Sequence, residues 1–217
     1  MIRNRGLGLP FLRKHAIDAS MSEISSLFCK TLVGRFVTLE AITEGHRSAL
    51  CALAADPSLW TYVPFDPAQG YGAKFDALLA DMQSGTQIGF AVRRLADGVV
   101  VGSASYMAIA VGHARLEIGS IWYTTAAQGT VVNPETMLLM LDHAFAAGFN
   151  RVEFKADARN GRSRGALKKL GAIEEGTLRQ HMWLPQGRFR DSVYYSILAD
   201  EWAPLRARLC RRLDAFE

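Results

Sequence analysis

Gln128-Gly129-Thr130-Val131-Val132-Asn133-Pro134-Glu135 is the stretch on which the reading of this chain turns. It follows an apolar, strand-like run ending at Trp122-Tyr123 and precedes an apolar helical pattern. Asn is a favoured N-cap, and Pro is tolerated at the first helical position because the N–H it lacks has no intrahelical partner there. The spacing therefore predicts a helix from Pro134 to Ala147, capped by Asn133 and stopped by Gly148. Amides just before and within such a first turn converge on one spot, with the positive end of the helix dipole behind them. That arrangement suits a phosphate. Taken alone, the loop is more simply read as a capped helix start with no ligand, since most caps bind nothing.

Downstream, Val152, Phe154 and Ala156 alternate with Arg151, Glu153 and Lys155, which predicts a strand. The strand runs into the polar loop Asp157-Ala158-Arg159-Asn160-Gly161-Arg162-Ser163 and a helix over 161–170 that ends at Gly171. Asn160 is placed as its N-cap, with Ser163 in the first turn. Polar side chains at the carboxyl end of a strand in an open α/β sheet face the crevice where ligands collect.

Upstream, strands are expected at 36–39, 88–93, 99–107 and 115–123, with Asp97-Gly98 as a hairpin turn, and helices from Thr43 and over 72–82. Late strands over 172–183 and 188–198 flank the turn Pro185-Gln186-Gly187, and helical residues follow Trp202. A mostly antiparallel first half thus meets a strand–helix–strand–helix second half. This predicts a single α/β domain (mixed α+β) without internal repeats. Residues 1–30 are expected to be an extension, partly disordered, residues 31–203 the domain, and 204–217 a helical tail.

Composition agrees. With 217 residues, 49% hydrophobic and 21% charged, the chain is neither disordered nor a coiled coil. The net charge of +4 comes from the ends: residues 1–30 contribute +3 and residues 201–217 contribute +1, leaving the body neutral. A neutral body argues against a nucleic-acid partner, which favours a basic face on the folded domain. Binding of RNA or the ribosome through the basic termini is a weaker third idea. The three cysteines (Cys29, Cys51, Cys210) lack ligand spacing, and no apolar run reaches the roughly 18 residues of a membrane span. A soluble cytoplasmic protein with no membrane partner is expected. Histidines are scattered, so no metal site is expected, and neither a Walker loop nor a Gly-x-Ser-x-Gly elbow is present.

The succession of strand, Gln128-Gly129-x-x-x-Asn133 loop, helix, strand, Asn160-x-x-Ser163, helix and Lys169-Leu170-Gly171-Ala172 resembles the GCN5-related N-acetyltransferases, the GNAT family. Within it, the chain looks most like the RimJ/RimL branch of ribosomal-protein alanine N-acetyltransferases. The likeness extends to Glu117–Tyr123, Leu141–Phe145 and Arg188–Ile197, and covers roughly residues 32–203. The resemblance implies a mixed, mostly antiparallel sheet flanked by helices and splayed between its fourth and fifth strands. It implies acetyl-CoA as co-substrate in that cleft, a primary amine as acceptor, no metal, and, by analogy with the branch, a homodimer. The acetyl group would pass by direct attack of the amine in a ternary complex, and the amine belongs to a protein N-terminus or a small molecule.

Carried over residue by residue, the resemblance assigns the amides of Gln128, Gly129, Thr130, Val131 and Asn133 to the pyrophosphate. It assigns Asn160 and Ser163 to the pantetheine arm, and suggests Arg159, Arg162 and Arg164 for the 3′-phosphate. Val131 stands where the family has Gly, and Leu167 where many members have a tyrosine acid, which leaves Ser163 to stabilise the departing thiolate. Glu117 matches the residue that accepts the amine proton. On the residues alone it is equally a solvated strand residue, since alternation puts Glu117, Gly119 and Ile121 on one face and Leu116, Ile118, Ser120 and Trp122 on the other. Trp60 and Tyr62 fall where the acceptor binds, or fill the core. His181 could approach the acceptor, or pair structurally with Asp191, and His143 reads as a packed core residue. Val131 and Leu167 also motivate a second reading, a GNAT-fold module that binds CoA or another ligand without turnover.

Overall fold

The structure, a computed structural model, describes residues 31–216. The expected extension over residues 1–30 lies outside the described residues. Among the described residues, eight strands form one sheet: β1 (Leu32–Val33), β2 (Val37–Ala41), β3 (Ile88–Arg94), β4 (Val100–Ala110), β5 (Arg115–Tyr123), β6 (Arg151–Asp157), β7 (Ile173–Leu184) and β8 (Arg188–Leu198). Five α-helices among the described residues flank it: α1 (Arg47–Leu53), α2 (Gly72–Ser84), α3 (Val132–Ala146), α4 (Gly161–Leu170) and α5 (Ala199–Asp214). Spatial order is β1-β2-β3-β4-β5-β6-β8-β7. Every pairing is antiparallel except β5 with β6.

Alternation along the strands sorts side chains into two apolar layers. Phe90 and Val92 join Leu116, Ile118 and Val152 beneath α3, α4 and α5, while Ala91, between them, faces Leu50, Trp60 and Phe75 beneath α1 and α2. The expected alternation fails in β5. Its ladder to β4 passes from Ser105↔Gly119 to Ser103↔Trp122, so Ser120 and Ile121 oppose the single residue Ala104. This is a β-bulge, with Ser120 held at φ of 50°. The extra residue inverts the remainder of the strand. Tyr123, rather than Trp122, joins Leu116 and Ile118, and Trp122 enters the layer of Trp60.

The parallel partners β5 and β6 are in register only at Arg115↔Arg151, Leu116↔Val152 and Glu117↔Glu153. Beyond Glu117 they part. This is the splay that the resemblance implies, between the fifth and sixth strands here because the two-residue β1 adds one to the count.

Helix α3 begins at Val132, two residues before the expected start, with Val131 rather than Asn133 at the cap position and no side-chain cap there. Pro134 is still harmless, because the first intrahelical bond is donated by Glu135 N–H to Val131 O at 3.1 Å. The Thr130 hydroxyl accepts the Val132 N–H at 3.3 Å. The closing helix likewise begins at Ala199, earlier than expected, and it buries Trp202, Leu209 and Leu213. Trp202 donates to Asp142 of α3 at 2.8 Å. No structural break therefore separates residues 204–214 from the body of the domain.

Glu135, only 1% exposed, ties α3 to the sheet edge. Its carboxylate accepts the backbone N–H groups of Arg35 at 2.8 Å and of Phe36 and Val37 at 2.6 Å. A Cβ at Gly34 would lie 2.5 Å from that carboxyl carbon, so the close approach requires glycine. Glu135→Ala would leave three donors unpaired, two of them part-buried and one buried. At about 1–3 kcal/mol for each unpaired buried donor, a loss of at least ~3 kcal/mol is expected. Urea unfolding of the variant against the native chain measures it.

Candidate active site

The parting of β5 and β6 opens a cavity of about 280 Å³. Its walls come from β5 (Glu117–Trp122), β6 (Phe154–Asp157), the α4 start (Asn160, Ser163, Leu167) and the segment 60–65. Glu117 occupies the last paired position before the strands diverge and is 6% exposed. It is therefore a buried acid lining the cavity, not a solvated strand residue. Lys155 Nζ lies 2.7 Å from its Oε2. Burial works against the Lys155 ammonium, but its contact with Glu117 prevails and holds the Lys155 pKa above the ordinary value.

The β6–α4 turn places three predicted residues together. Asn160 caps α4 as expected, its side-chain oxygen accepting Ser163 N–H at 3.0 Å. The Ser163 hydroxyl forms no hydrogen bond among the described residues, and Leu167 adds an apolar surface. Asp157 is buried, and it accepts Arg159 N–H at 2.8 Å and Arg188 Nη2 at 2.6 Å.

Trp60 and Tyr62 both border the cavity. Trp60 does so from a fully packed position: it donates to Ala54 O at 2.8 Å and sits among the rings of Phe65, Tyr71 and Trp122. Trp60 thus fills the core and also lines the cavity. The segment is held by the β7–β8 hairpin, more than a hundred residues away. Gln186 donates to Trp60 O and Phe65 O at 3.1 and 3.3 Å, and Arg190 to Tyr62 O at 3.4 Å.

The loop before α3 is joined to this region by side chains. Gln128 donates to Tyr123 O at 2.9 Å and accepts from Arg162, so the phosphate-loop candidate and the α4 start meet. Gly129 has φ of +76°, which glycine permits. Val131, in contrast, takes ordinary helical angles (φ −64°, ψ −18°), so no glycine is needed there. Gln128 N–H is used by Thr124 O, whereas no backbone hydrogen bond among the described residues uses the amides of Gly129, Thr130 and Val131. Asn133 lies inside the first turn of α3.

The remaining candidates sit elsewhere. His181 is exposed on β7, its Nδ1 3.0 Å from Ser192 Oγ, and it is not in the cavity wall. Asp191 accepts Gln180 N–H at 2.7 Å rather than meeting His181. His143 lies beside Tyr106. Arg164 turns to Tyr195 OH and Ala158 O, both at 3.1 Å. Sequence reasoning missed Lys155, Asp157, Arg190 and Lys74 as cavity residues. Lys155 carried no signal, since alternation grouped it with the charged face of β6, and only the register with β5 turns it toward Glu117.

A family model described as an acetyltransferase (GNAT) domain matches residues 37–173. Over 109 residues the chain is 30% identical to a protein of Bacillus subtilis (strain 168) named "Putative ribosomal N-acetyltransferase YdaF". That match covers 50% of this chain and 58% of the relative's length. The crystal structure of a GCN5-related N-acetyltransferase from Brucella melitensis is similar at TM-score 0.76 and 29% identity, covering 85% of each chain. Mycobacterium smegmatis RimJ in complex with CoA-disulfide has the same fold, at TM-score 0.71 and 23% identity over 81% of this chain and 88% of that one.

Removing one partner of a buried ion pair costs more than removing both. Lys155→Met alone is expected to destabilise the protein by about 3 kcal/mol. Adding Glu117→Gln to it should recover much of the loss. A double-mutant cycle of urea unfolding free energies reads the coupling.

Proposed function

The chain belongs to the GNAT acetyltransferase family, and on that premise we propose that it transfers an acetyl group from acetyl-CoA to a primary amine by direct attack within a ternary complex. The observation that carries this reading is Glu117, a buried carboxylate at the point where the sheet opens, in a cavity bordered on one side by a bulged strand and on another by the start of α4. No helix among the described residues is long and apolar enough to cross a membrane. A cytoplasmic setting is part of the proposal, and so is an acceptor of the RimJ/RimL kind, a protein N-terminus or a small amine.

The residues fit acetyl-CoA. The unspent amides of Gly129, Thr130 and Val131 precede a helix N-terminus and would receive the pyrophosphate. Arg162 is anchored to Gln128 beside that loop and adds positive charge. Asn160 and Ser163 would border the pantetheine arm. When bound, acetyl-CoA supplies a thioester carbonyl carbon for the amine to attack.

This chain's residues supply the rest. An amine is protonated at neutral pH and must lose a proton to become nucleophilic, and Glu117 is positioned to accept it. Lys155 provides the counter-charge that lets the carboxylate be buried. The bulge at Ser120–Ile121 takes backbone out of the β4 ladder inside the cavity wall, which offers a donor to the carbonyl oxygen as negative charge develops there. The free hydroxyl of Ser163 would donate a hydrogen bond to the departing thiolate, in a wall where Leu167 offers none. Most of the acceleration then comes from holding the two reactants in line.

Two measurements test this. Calorimetric titration should show micromolar binding of acetyl-CoA, weakened by Arg162→Glu and by Asn160→Ala. No binding at ~1 mM, weaker than about −4 kcal/mol, would overturn the reading. In a free-thiol assay with amine acceptors, Glu117→Gln should lower kcat/KM at least tenfold with acetyl-CoA affinity unchanged. A smaller loss removes Glu117 as the base. Binding with no thiol release from any amine favours the module without turnover, the reading that Leu167 supports.

A further inference from the structure

Two cations in the cavity wall form no ion pair with a carboxylate among the described residues. Arg190, on β8, is 6% exposed; among the described residues its Nη1 reaches only the Tyr62 carbonyl, at a long 3.4 Å, and its buried Nε has no hydrogen-bond partner. Lys74, on α2, borders the same cavity 6.0 Å from the Phe65 ring and forms no ion pair among the described residues. The acids in these walls are already engaged: Glu117 with Lys155 at 2.7 Å, and Asp157 with Arg188 at 2.6 Å. Burial pushes both Lys74 and Arg190 below their ordinary pKa values. For Arg190 the attraction of Asp157 and Glu117 does not make up the difference.

A guanidinium does not shed its proton, so a buried one with unfilled hydrogen bonds is costly to the empty protein. Such a group is explained when a ligand completes it. The planar donors of Arg match a carboxylate, and Lys74, bordering the same 62–65 segment, adds a second positive charge.

We propose that the amine acceptor carries a carboxylate, which Arg190 binds with the help of Lys74 at the end of the cavity walled by residues 62–65. This rests on the acyl-transfer reading and narrows its acceptor to an amino acid or a peptide N-terminus bearing an acidic group. The geometry gives Arg190 and Lys74 no part in the chemical step. They select and place the acceptor while Glu117 handles its proton.

The test uses matched pairs differing only in the carboxylate: amino acids as free acids and as their α-amides, and the tripeptide amides Ala-Glu-Ala and Ala-Gln-Ala. Binding is followed by calorimetry with and without saturating CoA. At least one acid is expected to bind tenfold or more tightly than its amide. Preference within the amino-acid pairs identifies a small-molecule acceptor, and preference within the peptide pair an acidic N-terminus. Arg190→Gln should reduce the preference below threefold with CoA affinity retained. Lys74→Met, at a half-buried helix position, should reduce it at least threefold and serves alone if the Arg190 variant does not fold. Equal binding of acid and amide, no binding by either, or a preference that survives these substitutions overturns the proposal. Failure to bind acetyl-CoA would instead overturn the acyl-transfer reading, while the acid-over-amide preference remains readable without cofactor.

Discussion

Strands β5 and β6 are paired only over Arg115–Glu117 and Arg151–Glu153, and the cavity exists because that pairing stops. A parallel pair that ends inside a sheet exposes two strand edges which must be covered or satisfied. Here the gap is lined with side chains that need polar company. Glu117 takes Lys155 at its apex, and Asp157 takes Arg188 where β6 ends. The bulge at Ser120, three residues beyond the last paired position, turns Trp122 into the layer that supports Trp60.

Buried charge is distributed unevenly around this opening. Glu135 is satisfied by three backbone amides, and Glu117 and Asp157 by basic side chains. Two of these hold the scaffold: Glu135 fastens α3 to the β1–β2 edge, and Asp157 fastens β6 to the terminal hairpin. Arg190 departs from the pattern. Its buried Nε has no hydrogen-bond partner among the described residues, and breaches of local satisfaction are where a functional role is to be sought.

The cleft is assembled from segments distant in sequence. The 60–65 segment is held from the β7–β8 hairpin through its own carbonyl groups, which Gln186 and Arg190 reach with their side chains. Gln128 and Arg162 join the loop before α3 to the start of α4 across 34 positions. Hydrogen bonds to its backbone carbonyls hold the 60–65 segment whatever side chains it carries, so residues such as Tyr62 remain available to face the cavity.

The sequence by itself determined the order of elements, the mixed sheet, the Asn160 cap, the Gln128–Asn133 loop ahead of a helix and the candidacy of Glu117. All but the last follow from local rules, namely alternation, capping and turn chemistry, which need only a few neighbouring residues, whereas the candidacy of Glu117 came from the family resemblance. Tertiary structure decided the rest. The start of α3 at Val132, the inversion of β5 after Ser120, and the pairing of Glu117 with Lys155 each depend on a partner strand or turn elsewhere in the chain. His181, plausible by position, faces Ser192 because β7 shifts register against β8 between Leu178 and Met182. Arg190 looked like one more charge on an alternating strand; only the packing of residues 60–65 over it made it a buried cation. Burial and electrostatic partnership belong to surfaces brought together from far apart, and no local pattern encodes them.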